Sequence, residues 1–290
     1  MDLDLISGEL TDLELQAGRA SDQRSQQQDT RVPRAGLYLK DQGYFDTAQL
    51  GELTRAGGHY LRRPPPQITL SDARGRRYSL VRFLTRRRGQ QVDAPVSLGT
   101  TAPLACRLLA VRVPAAIAAL RRHRLSEHAR RKGLRVSPTL WALCAWTIMV
   151  TDLPRAQLSL AEALVLLRLR WQVELLFKAW KSAGNQLEQW RTKDPWRALC
   201  TVYAKLLAVL VQHWCLQAAG WAFGARSLVQ AAQLVRTRAA ALTTAFRQGL
   251  PALQAELAEL ARVLSGSCRI RPRRGRPAAF QLLLALEAAA

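Results

Sequence analysis

Arg168-Leu169-Arg170-Trp171-Gln172-Val173-Glu174-Leu175-Leu176-Phe177-Lys178 is the stretch from which the rest of the chain can be read. Upstream of it, Ser159 is followed three residues later by Glu162, the form of a capping box, which predicts a helix from there through Lys181. At 100° per residue from Arg170, Leu167 lies at about 60°, Glu174 at about 40° and Lys181 at about 20°. All four project from one stripe. Glu174 stands among Leu164, Trp171, Leu175 and Phe177, and burying a carboxylate there is costly unless it meets a cation, a donor or a metal. The simpler alternative is an i,i+4 salt bridge from Arg170 to Glu174 on a solvated face, worth about 0.2–0.5 kcal/mol.

Working towards the N-terminus, the short apolar run 36–40 stops at Asp41-Gln42-Gly43, which predicts a strand ending on a carboxylate. Residues 47–56 have helical spacing through Leu50 and Leu53, Gly57-Gly58 closes that helix, and 59–62 read as a further strand. Residues 2–6 and 10–15 alternate with period two around Ser7-Gly8-Glu9, a β-hairpin. Pro64-Pro65-Pro66 marks a boundary. Beyond it, 78–84 and 106–113 read as strands, 115–132 as a basic helix and 140–150 as buried helix, and from 158 the pattern is helical. Four regions are expected: 1–63, the first part of a core; 64–150, a β-rich insertion with its basic helix; 151–225, the second part of the core; and 226–290, a helical region with the basic tail 269–276.

The 290 residues, 49% of them hydrophobic, can fill real cores. A net charge of +22, from 43 Lys and Arg against 21 Asp and Glu, attracts polyanions and points to nucleic acid, although a GC-rich coding sequence also enriches Arg, Ala and Leu. Five widely spaced cysteines with no CxxC pair fit a reduced cytoplasmic protein without a structural zinc. The acidic opening Met1-Asp2-Leu3-Asp4 lacks the order of a signal peptide. The apolar runs 140–150 and 206–211 are too short to span a bilayer, so no membrane partner is expected.

The spacing Arg170, three residues, Glu174, six residues, Lys181 resembles the signature helix of the insertion-sequence-four family of DDE transposases. Where that family has a tyrosine this chain has Leu167, which removes a hydroxyl from the site. Asp41-Gln42-Gly43-Tyr44-Phe45 resembles the family's strand-end element carrying the second catalytic carboxylate, and Thr151-Asp152-Leu153-Pro154 a segment just before the signature helix. The resemblance implies an α/β (α+β) ribonuclease-H-like fold, a mixed sheet flanked by helices and interrupted by the β-rich insertion. It implies transposition, that is, binding of transposon-end double-stranded DNA, cleavage and strand transfer. A catalytically dead DNA-binding remnant is the alternative.

Two Mg²⁺ ions, with Mn²⁺ able to substitute, would activate the attacking oxygen and stabilise the leaving one, and carboxylates alone can hold them. By resemblance Asp41 and Glu174 are the second and third of these carboxylates, within about 4–8 Å of each other across a shared pair of ions. Arg170, Lys178 and Lys181 would meet DNA phosphate. The clusters Arg74, Arg76, Arg77, Arg86, Arg87, Arg88 and Arg121, Arg122, Arg124, Arg130, Arg131, Lys132 suit phosphate contacts as well.

In such cores the first Asp sits on a strand before the hairpin. Since 2–15 already reads as that hairpin, the first strand is expected upstream of Met1, making this an N-terminally shortened and impaired copy. The family also implies a homodimer on paired ends, in the bacterial cytoplasm at the nucleoid. Trp141 and Trp146 are expected in the core, with base stacking as the alternative; His213 is expected as a core histidine, and Asp46 and Glu188 as surface acids.

Overall fold

The computed structural model describes residues 2–5, 8–11, 35–40, 42–87, 89–100, 103–181, 192–219 and 227–268, with 277, 281, 282 and 285. Its strands are β1 (Asp2–Leu3), β2 (Leu10–Thr11), β3 (Leu37–Tyr38), β4 (His59–Arg62), β5 (Thr69–Ser71), β6 (Arg77–Ser79), β7 (Gln91–Leu98), β8 (Leu104–Arg112) and β9 (Trp146–Thr151). Its helices are α1 (Thr47–Arg55), α2 (Leu80–Thr85), α3 (Ala115–Arg131), α4 (Pro138–Leu143), α5 (Leu160–Leu169), α6 (Trp171–Lys181), α7 (Pro195–Ala218), α8 (Leu228–Thr237), α9 (Ala239–Gln248) and α10 (Leu250–Gly266). This is the mixed α/β architecture expected. Contacts divide the chain into two compact units, Glu14–Leu167 and a second made of Met1–Leu13 with Arg168–Ala290.

Glu14–Leu167 is built on a seven-stranded sheet in the order β3-β4-β9-β8-β7-β5-β6. The β3–β4 pair is parallel and every other pair antiparallel. Period-two alternation sorts the central strands between two cores. Tyr60, Leu108, Ala110 and Val150 face one core, with Leu50 and Leu53 of α1 and Leu80, Phe83 and Leu84 of α2. Leu61, Leu109 and Met149 face the other, with Ala163 and Leu164 of α5. A sheet covered on both faces explains why β8 and β9 are nearly continuous in apolar residues.

Two expectations from the sequence fail here, both on short apolar runs. Residues 78–84 are not one strand: β6 ends at Ser79, whose Oγ accepts the Arg82 N–H at 3.3 Å and starts α2. Leu80, Phe83 and Leu84 are i, i+3, i+4 and pack as a helical face. Residues 140–150 are not one helix either. Pro138 at the first position of α4 opens a helix that ends at Leu143, and the β-branched Thr147, Ile148, Val150 and Thr151 then form β9 between β4 and β8. The helices at α1 and α3 and the strands at β4 and β8 lie where the periodicity puts them. Asp46, expected as a plain surface acid, caps α1 by accepting from the Ala48 and Gln49 N–H groups.

In the other unit the hairpin forms its own two-stranded sheet, in which Asp2 pairs with Thr11 and Leu3 with Leu10, while Asp4 O and N bond Gly8 N and Glu9 O across the turn; the rest of the predicted strands, residues 6 and 12–15, lies outside the described residues. Leu3 and Leu10 pack on a core of Leu176 and Trp180 (α6), Val209 and Leu216 (α7), Ala231 and Val235 (α8), Leu242 (α9) and Leu260 and Leu264 (α10). His213 is a buried core histidine, as expected, its Nε2–H donating to Gly8 O at 2.7 Å. Asp194 caps α7 by accepting from Trp196 and Arg197 N–H, with Pro195 at its first position. By length and composition alone α7 could cross a membrane, with a mean hydropathy of 1.5 over its most apolar window. The run 206–211 is only half buried within it: Leu206 and Val209 face the core, Leu207 and Val211 face solvent.

Candidate catalytic and nucleic-acid site

The capping box forms as the sequence predicts. The Ser159 N–H donates to Glu162 Oε2 at 2.7 Å and the Glu162 N–H to Ser159 Oγ at 3.2 Å, and hydrogen bonding to the Glu162 carboxyl from the Ser159 side chain and then its backbone N–H holds that carboxyl below its ordinary range. The helix it starts does not run unbroken to Lys181. α5 ends at Leu169, Arg170 is a turn residue, and α6 begins at Trp171. The break falls where the buried face changes allegiance: Ala163 and Leu164 belong to the sheet's core, Leu176 and Trp180 to the helical one.

Across that break Arg170 Nη2 donates to Glu174 Oε1 at 3.2 Å, the i,i+4 ion pair. The Arg170 side chain is 18% exposed and that of Glu174 36%. Glu174 is therefore not sealed in an apolar pocket, because Trp171 and Phe177, expected around it, are themselves exposed. The buried face of α6 is Leu176, Ala179 and Trp180. Lys178 stands 5.0 Å over the Trp171 ring centroid, a cation–π contact at the surface, and Lys181 is exposed at the helix end. Basic residues in the last turn also suit the negative end of the helix dipole.

Asp41, Arg88, Glu188 and the tail 269–276 lie outside the described residues. Among the described residues no three His, Cys, Asp or Glu side chains gather into a metal-holding group. Glu174 offers the oxygen chemistry Mg²⁺ prefers, but it is one carboxylate facing an arginine, so the described residues by themselves do not make up a two-ion site.

The basic positions of the sheet unit divide by what their guanidinium groups already do. Arg121 donates to Trp146 O at 2.8 Å and to Thr147 Oγ1 at 3.0 Å, tying α3 to β9. Arg122 lies 5.5 Å over the Trp141 ring and reaches Trp141 O at 3.4 Å. Arg86 and Arg87 are exposed and stack on Tyr78 and Phe83. Arg74, Arg76, Arg77, Arg124, Arg130, Arg131 and Lys132 are exposed, Arg130 pairing with Glu127. Trp146 is core at 6% exposure, whereas Trp141 is 44% exposed, against the expectation for it.

Two positioning groups escaped the sequence reading. Asp152, in the segment already singled out, accepts the Tyr60 N–H at 2.8 Å and pairs with His59 Nδ1 at 2.6 Å, clamping β4 to the end of β9. Beside it, burial raises the Tyr60 hydroxyl far above its ordinary range, and burial followed by the negative Asp152 pushes the Cys106 thiol up to about 12. Arg107 grips Asp93 with two bonds of 3.0 and 2.9 Å and donates to Leu153 O and Leu158 O. It thereby fixes the loop that delivers the chain to α5. The sequence reading puts Arg107 on a strand but places none at Asp93, so it carries no sign of this grip.

The profile of the transposase DDE domain matches residues 3–211. The transposase for insertion sequence element IS421 of Escherichia coli is 32% identical over 146 residues, 48% of this chain and 39% of that protein. The transposases for IS231C and IS231F, from Bacillus thuringiensis subsp. berliner and subsp. israelensis, are 25% and 24% identical over 230 residues, 73% of this chain and 48% of each relative. The chain thus spans about half or less of the length of these relatives. No solved structure matches. With the profile covering more than two thirds of its length, the chain belongs to the DDE transposase family.

Proposed function

We propose that the protein acts in the transposition of an insertion sequence, binding double-stranded DNA at the element's ends and cleaving and joining it with divalent metal. The observation that carries this is the family match over 3–211, which includes both signature segments. Asp41 and Glu174 are the metal-binding carboxylates of the reading, and residues 64–150 the insertion within its core. A bound divalent ion supplies activation of the attacking oxygen and relief of charge on the leaving one. The chain's own part is to hold and aim. Arg170 orients the Glu174 carboxylate through its 3.2 Å bond, the Asp152 and Arg107 clamps fix the path into α5, and Lys178, Lys181, Arg86, Arg87, Arg88 and Arg122 bind phosphate. Arg121, with two donors engaged in the fold, contributes through α3's placement as much as through its charge. The protein works in the bacterial cytoplasm on nucleoid DNA, as a homodimer on paired ends.

The test is Mg²⁺-dependent nicking of DNA carrying the sequences that flank its own gene. Asp41→Asn and Glu174→Gln should each abolish nicking and leave DNA binding intact, since each removes a metal ligand and no cation. Nicking that survives Glu174→Gln would overturn the assignment. Binding without nicking in the unaltered chain would favour the DNA-binding remnant.

A further inference from the structure

Helix α7 turns an apolar face to solvent. Trp196, Leu199, Tyr203, Leu207, Val211 and Trp214 are all exposed, Trp196 at 74% and Trp214 at 56%. At 100° per residue from Trp196 they lie within about 60° of one line, over roughly 27 Å of helix. The helix has two charged residues, Arg197 and Lys205, and they sit at about 100° and 180° from that line. The face to one side of it, about 80–160° from that line and carrying Leu206, Val209, His213 and Leu216, is buried. A stripe of this size on a soluble surface marks an interaction site.

We propose that this stripe docks a second copy of the chain, α7 against α7 and antiparallel, about a two-fold axis level with residue 205. The pattern is its own mirror about that point. Trp196 and Trp214, Leu199 and Val211, and Tyr203 and Leu207 are each equidistant from residue 205. An antiparallel pair in this register therefore puts one residue from each helix at every level, which is what an isologous interface requires. The six side chains expose roughly 700 Å² per chain, close to the ~800 Å² per partner of a stable interface. Chains carrying +22 each repel unless they meet through uncharged surface, and DNA phosphate finds no cation on the stripe. This rests on the dimeric part of the function proposed above and names its surface; the carboxylate assignment does not depend on it.

Sedimentation equilibrium of residues 1–290 should give a dimer at micromolar concentration, the weak end for interfaces of this size. Tyr203→Glu and Leu207→Lys should each weaken association by roughly thirtyfold or more with helical circular dichroism unchanged, because both positions face solvent. Mixed together, the two variants should pair again, since only this register sets the introduced carboxylate at position 203 of one chain level with the introduced ammonium at position 207 of the other. Should either variant lose helicity, Leu199→Glu with Val211→Lys asks the same question one level out. A monomer at every concentration, a dimer indifferent to both changes, or single variants that fail to pair on mixing would each overturn the proposal. So would a monomer that binds phosphatidylcholine vesicles through the stripe. Nicking by the monomeric variants reads the catalytic assignment separately.

Discussion

At the scale of single residues, burial decides which reactive groups are silent. Cys106 lies in the sheet's core with its thiol pushed up to about 12, so at pH 8 almost none of it is thiolate, the reactive form. Cys200 is exposed on α7. Iodoacetamide at pH 8 on the native protein diluted below its dimerisation range, read by peptide mass spectrometry, should label Cys200 and spare Cys106 until denaturant is added; early labelling of Cys106 would contradict the buried Tyr60–Cys106–Asp152 arrangement. His213 gives a pH dependence of known sign. Burial holds its folded pKa below the ordinary 6.5, so the unfolded chain binds the proton first as pH falls. The contribution of the neutral histidine is whole above about pH 6.5 and is lost as pH drops from there towards the folded value. Thermal melts between pH 7.5 and 5.5 should show this decline. His213→Gln, which keeps a donor for Gly8 O but cannot titrate, should flatten it.

At the scale of elements, what the sequence made legible was whatever carried a local physical signature. The capping box of α5 could be read because Ser159 and Glu162 satisfy each other's backbone groups, and α1, α3, β4 and β8 because their period or their bounding Gly and Pro left one choice. Ser159→Ala should accordingly cost about 1 kcal/mol of stability, measured by urea unfolding, with Thr201→Ala on exposed α7 as a near-neutral comparison. The short runs 78–84 and 140–150 were misread because a few apolar residues fit a buried strand and a buried helix equally well; the Ser79 cap and the Pro138 start decided them. The α5–α6 break had no local sign, since no Gly or Pro stands there and its cause is a change of core. The surroundings of Glu174 were misjudged for a similar reason. Helical phase says which residues share a face with it, but only tertiary packing says that Trp171 and Phe177 stay in water while Leu176 and Trp180 do not.

For the whole molecule the governing quantity is charge. An excess of +22 supplies a long-range attraction to DNA that needs no base contacts, and each phosphate neutralised releases counterions, so binding must weaken with salt. With 6–10 phosphates engaged, affinity for a random duplex should fall by roughly 10³–10⁵ between 50 and 200 mM salt, with little dependence on sequence. The α3 helix offers the sharpest version of this test. Arg124, Arg131 and Lys132 are exposed, whereas Arg121 on the same helix is tied to β9 by two hydrogen bonds. Changing the three exposed residues to Gln should lower the slope of log affinity against log salt by up to ~3, at about 0.9 per lost contact, and leave the melting temperature nearly unchanged. Arg121→Gln should do the reverse, lowering the melting temperature through the lost bonds to Trp146 O and Thr147 Oγ1 while moving the slope by no more than about one. A triple variant that binds with the parent's slope would take α3 out of the DNA path and leave α6 and the Arg86–Arg87 corner as the surface to examine.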